Sequence, residues 1–367
     1  MHLSVGKKYV IALIGLWVLA SIAKYKFNGL ILGLDFGLYH PDGAYYAFRT
    51  LTFLGHDPLP AAQQVSDWYL ANSTKKVEIP IAGLLPETSP AWGLVFPRIL
   101  YPLLSMPFVA MLGIPGTLVV PALSLLSTIL AVYYVISKRN SQLLGFSISS
   151  LLLLSPTVIR WSYANCTDAL LMSLFALVPV IGLKTSKYSA RISMILILVA
   201  LTSITRFCAP IWIAIGVIFW ICKWRRESII TIASSALSAI PIYLLAPKTG
   251  FLPLENDSGF LEKVLKLPVS MLRVGFYEVA QLWVLDRVLF FALAVAVAVA
   301  VFRFSWDESK FFLAVALASW FTGGINGVIG VNFRYQLPLI PFMLILLARF
   351  VVDIKPKVPQ AWFEKIR

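Results

Sequence analysis

Charge is scarce in this sequence. Asp, Glu, Lys and Arg supply 13% of its 367 residues, about half the ~25% of an ordinary soluble domain, which excludes a soluble globular chain. Cysteine is scarcer: Cys166, Cys208 and Cys222 lie in or beside apolar runs without metal-ligand spacing. That excludes a disulfide framework and a zinc site built on cysteines. No P-loop, Rossmann fingerprint or metalloprotease histidine pair occurs, so chemistry carried by those motifs is excluded too. No solenoid repeat or low-complexity tract is present either.

What the chain has instead is apolar length. Hydrophobic residues make up 59% of it and the mean hydropathy is +0.83. Several continuous runs suit a hydrocarbon core of roughly 30 Å. Only helices and closed barrels satisfy the backbone in lipid, and continuous rather than alternating runs select helices. The fold class expected is therefore all-α integral membrane, one polytopic domain over 1–367, with spans near 9–27, 117–136, 142–159, 166–183, 190–205, 207–222, 228–246, 287–303, 310–330 and 335–352. The first follows Lys7 and Lys8; although it ends Ser21-Ile22-Ala23, like a signal-peptidase site, it is read as an uncleaved span.

The net charge of +14 does not form a nucleic-acid stripe, so no nucleic-acid partner is expected. The basic residues sit in short breaks: Lys138-Arg139, Lys184 to Arg191, Lys223 to Arg226, Arg303 to Lys310, and the tail. With both termini cytoplasmic, ten spans place every such cluster inside. The stretch 99–113, interrupted by Pro102 and Pro107, is then an interfacial or re-entrant helix, because one more crossing would invert the later clusters. Two long segments fall on the non-cytoplasmic face. The first, 28–98, holds short helices near 44–54 and 61–71. The second, 247–286, is amphipathic, with Leu261, Val264, Leu265, Leu272, Phe276, Val279 and Trp283 opposite Glu262, Lys263, Lys266, Arg273 and Glu278. It reads as one interfacial helix or as two broken near Pro268.

Asp35 and Asp42 lie just beyond the first span, and Asp42 sits in a Pro41-Asp42-Gly43 turn. Such a carboxylate can act as general base on a hydroxyl, or share a divalent cation (Mg or Mn) with His40; the bland alternative is a good turn. Arg160 and Asp168 flank the next outer turn, where Asn165 or Thr167 is expected to cap a helix opened by Asp168. Asp168 is the other candidate metal ligand. Arg206 lies at a tight outer turn, and Arg334 in Asn332-Phe333-Arg334-Tyr335-Gln336 before the last span; Arg98 ends the first segment. Each arginine has snorkelling as its alternative. Together, topology brings residues far apart in sequence to one face, and arginine forks beside carboxylates suit removal of a hydroxyl proton and neutralisation of a leaving phosphate.

This layout resembles the GT-C superfamily of membrane glycosyltransferases. The resemblance rests on the acidic first outer segment, on Ser155-Pro156 through the outer turn to Asp168, and on Phe96-Pro97-Arg98, Thr205-Arg206 and Phe333-Arg334-Tyr335-Gln336-Leu337-Pro338. It implies a polyprenyl-phosphate-sugar donor, most simply a hexose such as mannose, and a glycan, lipid or protein acceptor. It further implies Asp42 or Asp35 as base, Arg334 and Arg206 on the lipid phosphate with Arg160 and Arg98 nearby, and inversion at the anomeric carbon. His40, Asp168, Tyr335 and Asn332 would support the site. The adjacent acidic pair of the protein O-mannosyltransferases is absent, since Asp35 and Asp42 are separated. A bacterial plasma membrane, with the site facing outward, is the expected location. Two other classes compete: a transporter or flippase for a lipid-linked or anionic solute, and a non-catalytic scaffold.

Overall fold

The computed structural model describes residues 5–26, 39–73, 78–89, 92–184, 188–245, 260–326 and 333–354. Its elements are helices only, among the described residues. They are α1 (Val5–Lys26), α2 (Pro41–Phe53), α3 (Pro58–Asn72), α4 (Ile81–Leu84), α5 (Trp92–Val95) and α6 (Leu100–Leu112), then α7 (Val119–Arg139), α8 (Gln142–Leu154), α9 (Pro156–Ser162), α10 (Asp168–Lys184) and α11 (Tyr188–Ser203). The chain continues through α12 (Ala209–Ile221), α13 (Arg225–Leu245), α14 (Phe260–Leu285), α15 (Arg287–Phe302), α16 (Asp307–Asn326) and α17 (Ile340–Ile354). Short 3-10 stretches, Ile114–Leu118 and Arg334–Leu339, lead into α7 and α17.

Among the described residues three segments are long and apolar enough to cross a membrane: Gly6–Lys26, Ile114–Arg139 and Arg334–Ile354. Five shorter apolar helices accompany them, Leu100–Leu112, Asp168–Ile181, Tyr188–Ser203, Ala209–Ile221 and Arg287–Phe302. The run expected as one span over 142–159 is instead two helices, α8 and α9, bent by 73°. The chemistry of the bend is local. Pro156 has no N–H to continue α8, and Ser155 Oγ accepts from Val158 N–H to start α9 afresh. The Asp286 carboxylate then accepts from Ser155 Oγ, from Thr157 N–H at 3.0 Å and from Leu289 N–H at 2.9 Å, so one buried anion caps both α9 and α15.

Hydrogen bonds between helices set the direction of the chain. Trp17 donates to Ala122 O, Tyr25 to Leu118 O and Tyr133 to Gly6 O, so α1 and α7 run antiparallel with Lys26 and Val119 at the same end. Helix α6 stays at that end. Its first N–H donates to Ile204 O, Tyr101 OH donates to Thr117 O at 2.6 Å, and a Cβ on Gly116 would overlap the Phe108 backbone. That close approach is possible only for glycine, and it folds α6 against the start of α7. Across Pro268, α14 is one continuous helix.

The two ends of the bundle carry different ionic networks. At the end holding Gly6 and Tyr133, Glu308 pairs with Arg139 at 2.7 Å and with Arg349 at 3.0 Å, and Arg191 pairs with Glu227 at 3.2 Å. At the other end lie Asp42, Asp168, Arg206 and Arg334.

Candidate active site

The site is assembled from five chain segments. His40 stands before α2 in extended conformation, and its Nδ1 accepts the Asp42 N–H at 3.2 Å. Pro41 sets the helical φ of the first turn without needing a hydrogen-bond partner. Asp42 therefore sits in the first turn of α2, where the N-terminal partial charge favours a carboxylate. The next residue is glycine for a packing reason: a Cβ on Gly43 would overlap the Asn165 carboxamide. That carboxamide accepts from His40 N–H at 2.9 Å and donates to Tyr69 OH. Asn165 thus ties the entry of α2 to the turn before α10. It is not the α10 cap expected from sequence, and neither is Thr167, whose hydroxyl is buried without a partner.

Asp168 opens α10 and is fully buried. Both its oxygens are engaged by arginines: Arg206 contacts Oδ1, and Arg334 Nε donates to Oδ2 at 2.8 Å. Arg334 also reaches Asp42, with Nη1 2.7 Å from Oδ2. One guanidinium therefore bridges two carboxylates from different helices, using the bidentate fork that lysine lacks. Aromatic rings hold the cations in place. Arg334 lies 5.0 Å from the Trp161 ring centroid, Arg160 lies 5.3 Å from the same ring, and Arg206 lies 4.4 Å from that of Tyr335. The His40 ring also packs on Trp161, at 5.5 Å. Arg98 donates to Tyr46 OH at 2.9 Å and lies close enough to Asp42 to stabilise its charge. Arg49, buried in α2, donates to Val95 O and Phe96 O and so fixes the segment that carries Arg98.

Electrostatics separates the two titratable groups at the entrance. Burial alone would raise the Asp42 carboxyl, but Arg334 beside it, helped by Arg98, holds it well below the usual carboxylate range. Burial and then Arg334 push His40 down to about 4, so it is neutral at pH 7. The guanidiniums of Arg98, Arg206 and Arg334 then surround the two carboxylates of Asp42 and Asp168, with Arg160 close to His40. Several guanidiniums gathered at a desolvated site suit recognition of an anion.

The expected site residues Asp42, His40, Arg98, Arg160, Asp168, Arg206, Arg334 and Tyr335 are brought together, whereas Asp35 and Asn332 lie outside the described residues. Of the two candidate divalent-cation ligands, Asp168 has both oxygens occupied by arginines and His40 has Nδ1 occupied by the Asp42 N–H. Among the described residues no three His, Cys, Asp or Glu side chains gather as metal ligands. Glu278 departs from expectation. Placed by its period on the polar face of an amphipathic helix, it is buried and accepts the Phe333 N–H. Trp161, Tyr46 and Arg49 carry no signal in the sequence, because an aromatic or a lone polar residue in an apolar run makes no motif.

No protein-family model and no curated protein sequence matches the chain. Solved structures do match. ArnT from Cupriavidus metallidurans in the apo state superposes with a TM-score of 0.53 at 15% identity, over 98% of this chain and 62% of ArnT. The fold is similar to that of ArnT. ArnT bound to undecaprenyl phosphate gives the same TM-score over 97% of this chain and 61% of that one. This chain thus spans about three fifths of the length of ArnT.

Proposed function

We propose that the protein is a membrane glycosyltransferase that moves a sugar, most simply a hexose such as mannose, from a polyprenyl-phosphate donor to an acceptor hydroxyl. The observation that carries this reading is the Arg334 bridge. A guanidinium shared by two carboxylates, with Arg206 and Arg98 beside it, is poised to exchange one carboxylate for a phosphate. The fold shared with ArnT, which has been solved with undecaprenyl phosphate bound, supports a lipid phosphate as that anion. In this reading ten spans cross a bacterial plasma membrane with both termini cytoplasmic. Helices α2, α3 and α14 lie on the outer face, which the site shares.

Donor binding and base activation are then one event. When the phosphodiester engages Arg334 and Arg206, Asp42 loses the cation that depresses its carboxyl, and its basicity returns toward that of an ordinary carboxylate. Asp168 is buried and doubly held, so it stays with the arginines as their anchor. The acceptor oxygen attacks the anomeric carbon from the face opposite the phosphate, and its proton passes to Asp42. The sugar–phosphate C–O bond breaks with its electron pair on the phosphate oxygen, which leaves as polyprenyl phosphate with its added charge on Arg334 and Arg206. The anomeric configuration inverts. Because both Asp168 oxygens and His40 Nδ1 are engaged, no step is routed through a divalent cation.

The transport reading has one observation in its favour. A cavity of about 210 Å³, walled by Trp212, Phe219, Phe311 and Phe342 and edged by Arg139, Arg191 and Arg349, opens at the opposite end of the bundle. Purified protein given synthetic undecaprenyl-phosphate hexose, with mixed membrane acceptors, separates the two. Sugar transfer supports the transferase; movement of the lipid-linked sugar between leaflets without transfer supports the transporter.

A further inference from the structure

Glu278 occupies an unusual position for a carboxylate. Its side chain on α14 is buried, with Oε2 accepting the Phe333 N–H and Oε1 without a partner among the described residues. Phe333 has φ 61° and ψ 20°, the left-handed conformation that side chains other than glycine and asparagine rarely adopt. Its buried ring and this backbone turn immediately precede Arg334. The conformation points the Phe333 N–H at α14 while its carbonyl accepts from Gln336 N–H at 3.3 Å to start the 3-10 stretch.

We infer that Glu278 is a positioning residue: by holding Phe333 in the left-handed turn, its ionised carboxylate aims Arg334 at the donor phosphate. This rests on the transferase reading. A single N–H needs only a neutral acceptor, and a buried carboxylate with no cation beside it is costly. A role that uses the charge accounts for the residue better than a hydrogen bond alone.

The charged and titratable groups on the elements packed against α14 are these. Helix α14 packs on α9, α15 and α16, which carry Arg160, Arg287 and the charged residues Asp307, Glu308 and Lys310, α14 itself carries Lys266, Arg273 and Tyr277, and Arg334 and Tyr335 follow Phe333 in the chain; among the described residues, burial and the Phe333 N–H are what act on the Glu278 carboxyl. Burial raises the carboxyl to about 7, against the stabilising Phe333 N–H. The carboxylate is therefore charged above neutral pH and lost below it. Charged, it makes the stronger, charge-assisted bond to Phe333.

The test is equilibrium binding of undecaprenyl-phosphate hexose, a phosphodiester that does not titrate near neutrality, to detergent-purified protein over a range of pH. Wild type should bind roughly fivefold to tenfold tighter at about pH 8 than at about pH 6. Glu278→Gln, which keeps an acceptor but cannot ionise, should be flat at the weaker value. A flat wild-type profile overturns the inference and leaves the transferase reading standing, as does a slope that persists in Glu278→Gln. Absence of diester binding to wild type at every pH removes both. The wild-type profile decides even where the variant fails to fold.

Discussion

Arg334 Nη1 lies 2.7 Å from Asp42 Oδ2, and the same guanidinium donates through Nε to Asp168 at 2.8 Å, across 166 residues of sequence. The two carboxylates differ in a way that assigns their roles. Asp168 is completely enclosed, whereas the Asp42 side chain is 38% exposed. One is a foundation for the arginines; the other can trade its arginine for solvent or substrate.

Asp168→Asn should therefore damage the fold. It leaves Arg206 buried without its counter-charge and Arg334 with Asp42 alone, a loss of roughly 3–5 kcal/mol for a broken buried pair. Thermal unfolding in detergent should show a large fall in Tm for Asp168→Asn and a small one for Asp42→Asn. Equal falls would contradict the assignment.

Arg334→Lys keeps the charge and loses the fork. A lysine ammonium cannot span both carboxylates in one plane, so transfer should fall about tenfold or more, the loss of one charge-assisted contact of roughly 1.5–3 kcal/mol. Steady-state kinetics over donor concentration measures this. Wild-type rates would show that the bridge is incidental.

Gly43→Ala sets helix propensity against packing. Propensity alone favours alanine by about 1 kcal/mol, yet the new Cβ would displace Asn165 and with it the His40 backbone contact. The expected result is lower transfer with no gain in Tm. A stabilised, fully active variant would show that Asn165 does not order the site.

His40 supplies a stability test with a defined window. Its folded pKa of about 4 lies below the ordinary value of 6.5, because burial and then Arg334 disfavour the imidazolium. Between these values the unfolded chain binds the proton and the folded one does not, so stability is complete above pH 6.5 and declines as pH falls toward 4. The full effect is of the order of 3 kcal/mol. The Tm of wild type should fall over that interval, and that of His40→Gln should fall less.

Much of the fold is legible in the sequence because lipid permits few solutions. Apolar length and basic breaks locate α1, α7 and the helix that follows Arg334. The α8–α9 bend is harder to read: Ser155-Pro156 signals a break, but the depth of the bend depends on Asp286, far along the chain. The site is legible as an inventory, since arginines and aspartates beside apolar runs stand out by their cost. Its geometry is not. That Arg334 serves two carboxylates, or that Gly43 makes room for Asn165, depends on contacts between distant segments. Glu278 shows the limit most clearly, for its helical period places it on a polar face while Phe333 draws it inside.

Chelation tests the electrostatic account from another side. With both Asp168 oxygens held by arginines and His40 Nδ1 by a backbone N–H, transfer should survive EDTA unchanged. Activity lost to EDTA and restored by Mg or Mn would show that this set rearranges around a cation.

The most direct measurement is single-turnover transfer from undecaprenyl-phosphate hexose by wild type and Asp42→Asn, with donor binding measured in parallel. The account predicts that Asp42→Asn binds the donor at least as well as wild type, since Arg334 is freed, yet transfers the sugar about 10²–10⁴-fold more slowly, the usual contribution of a positioned base. Wild-type transfer rates in Asp42→Asn at normal folding would contradict it.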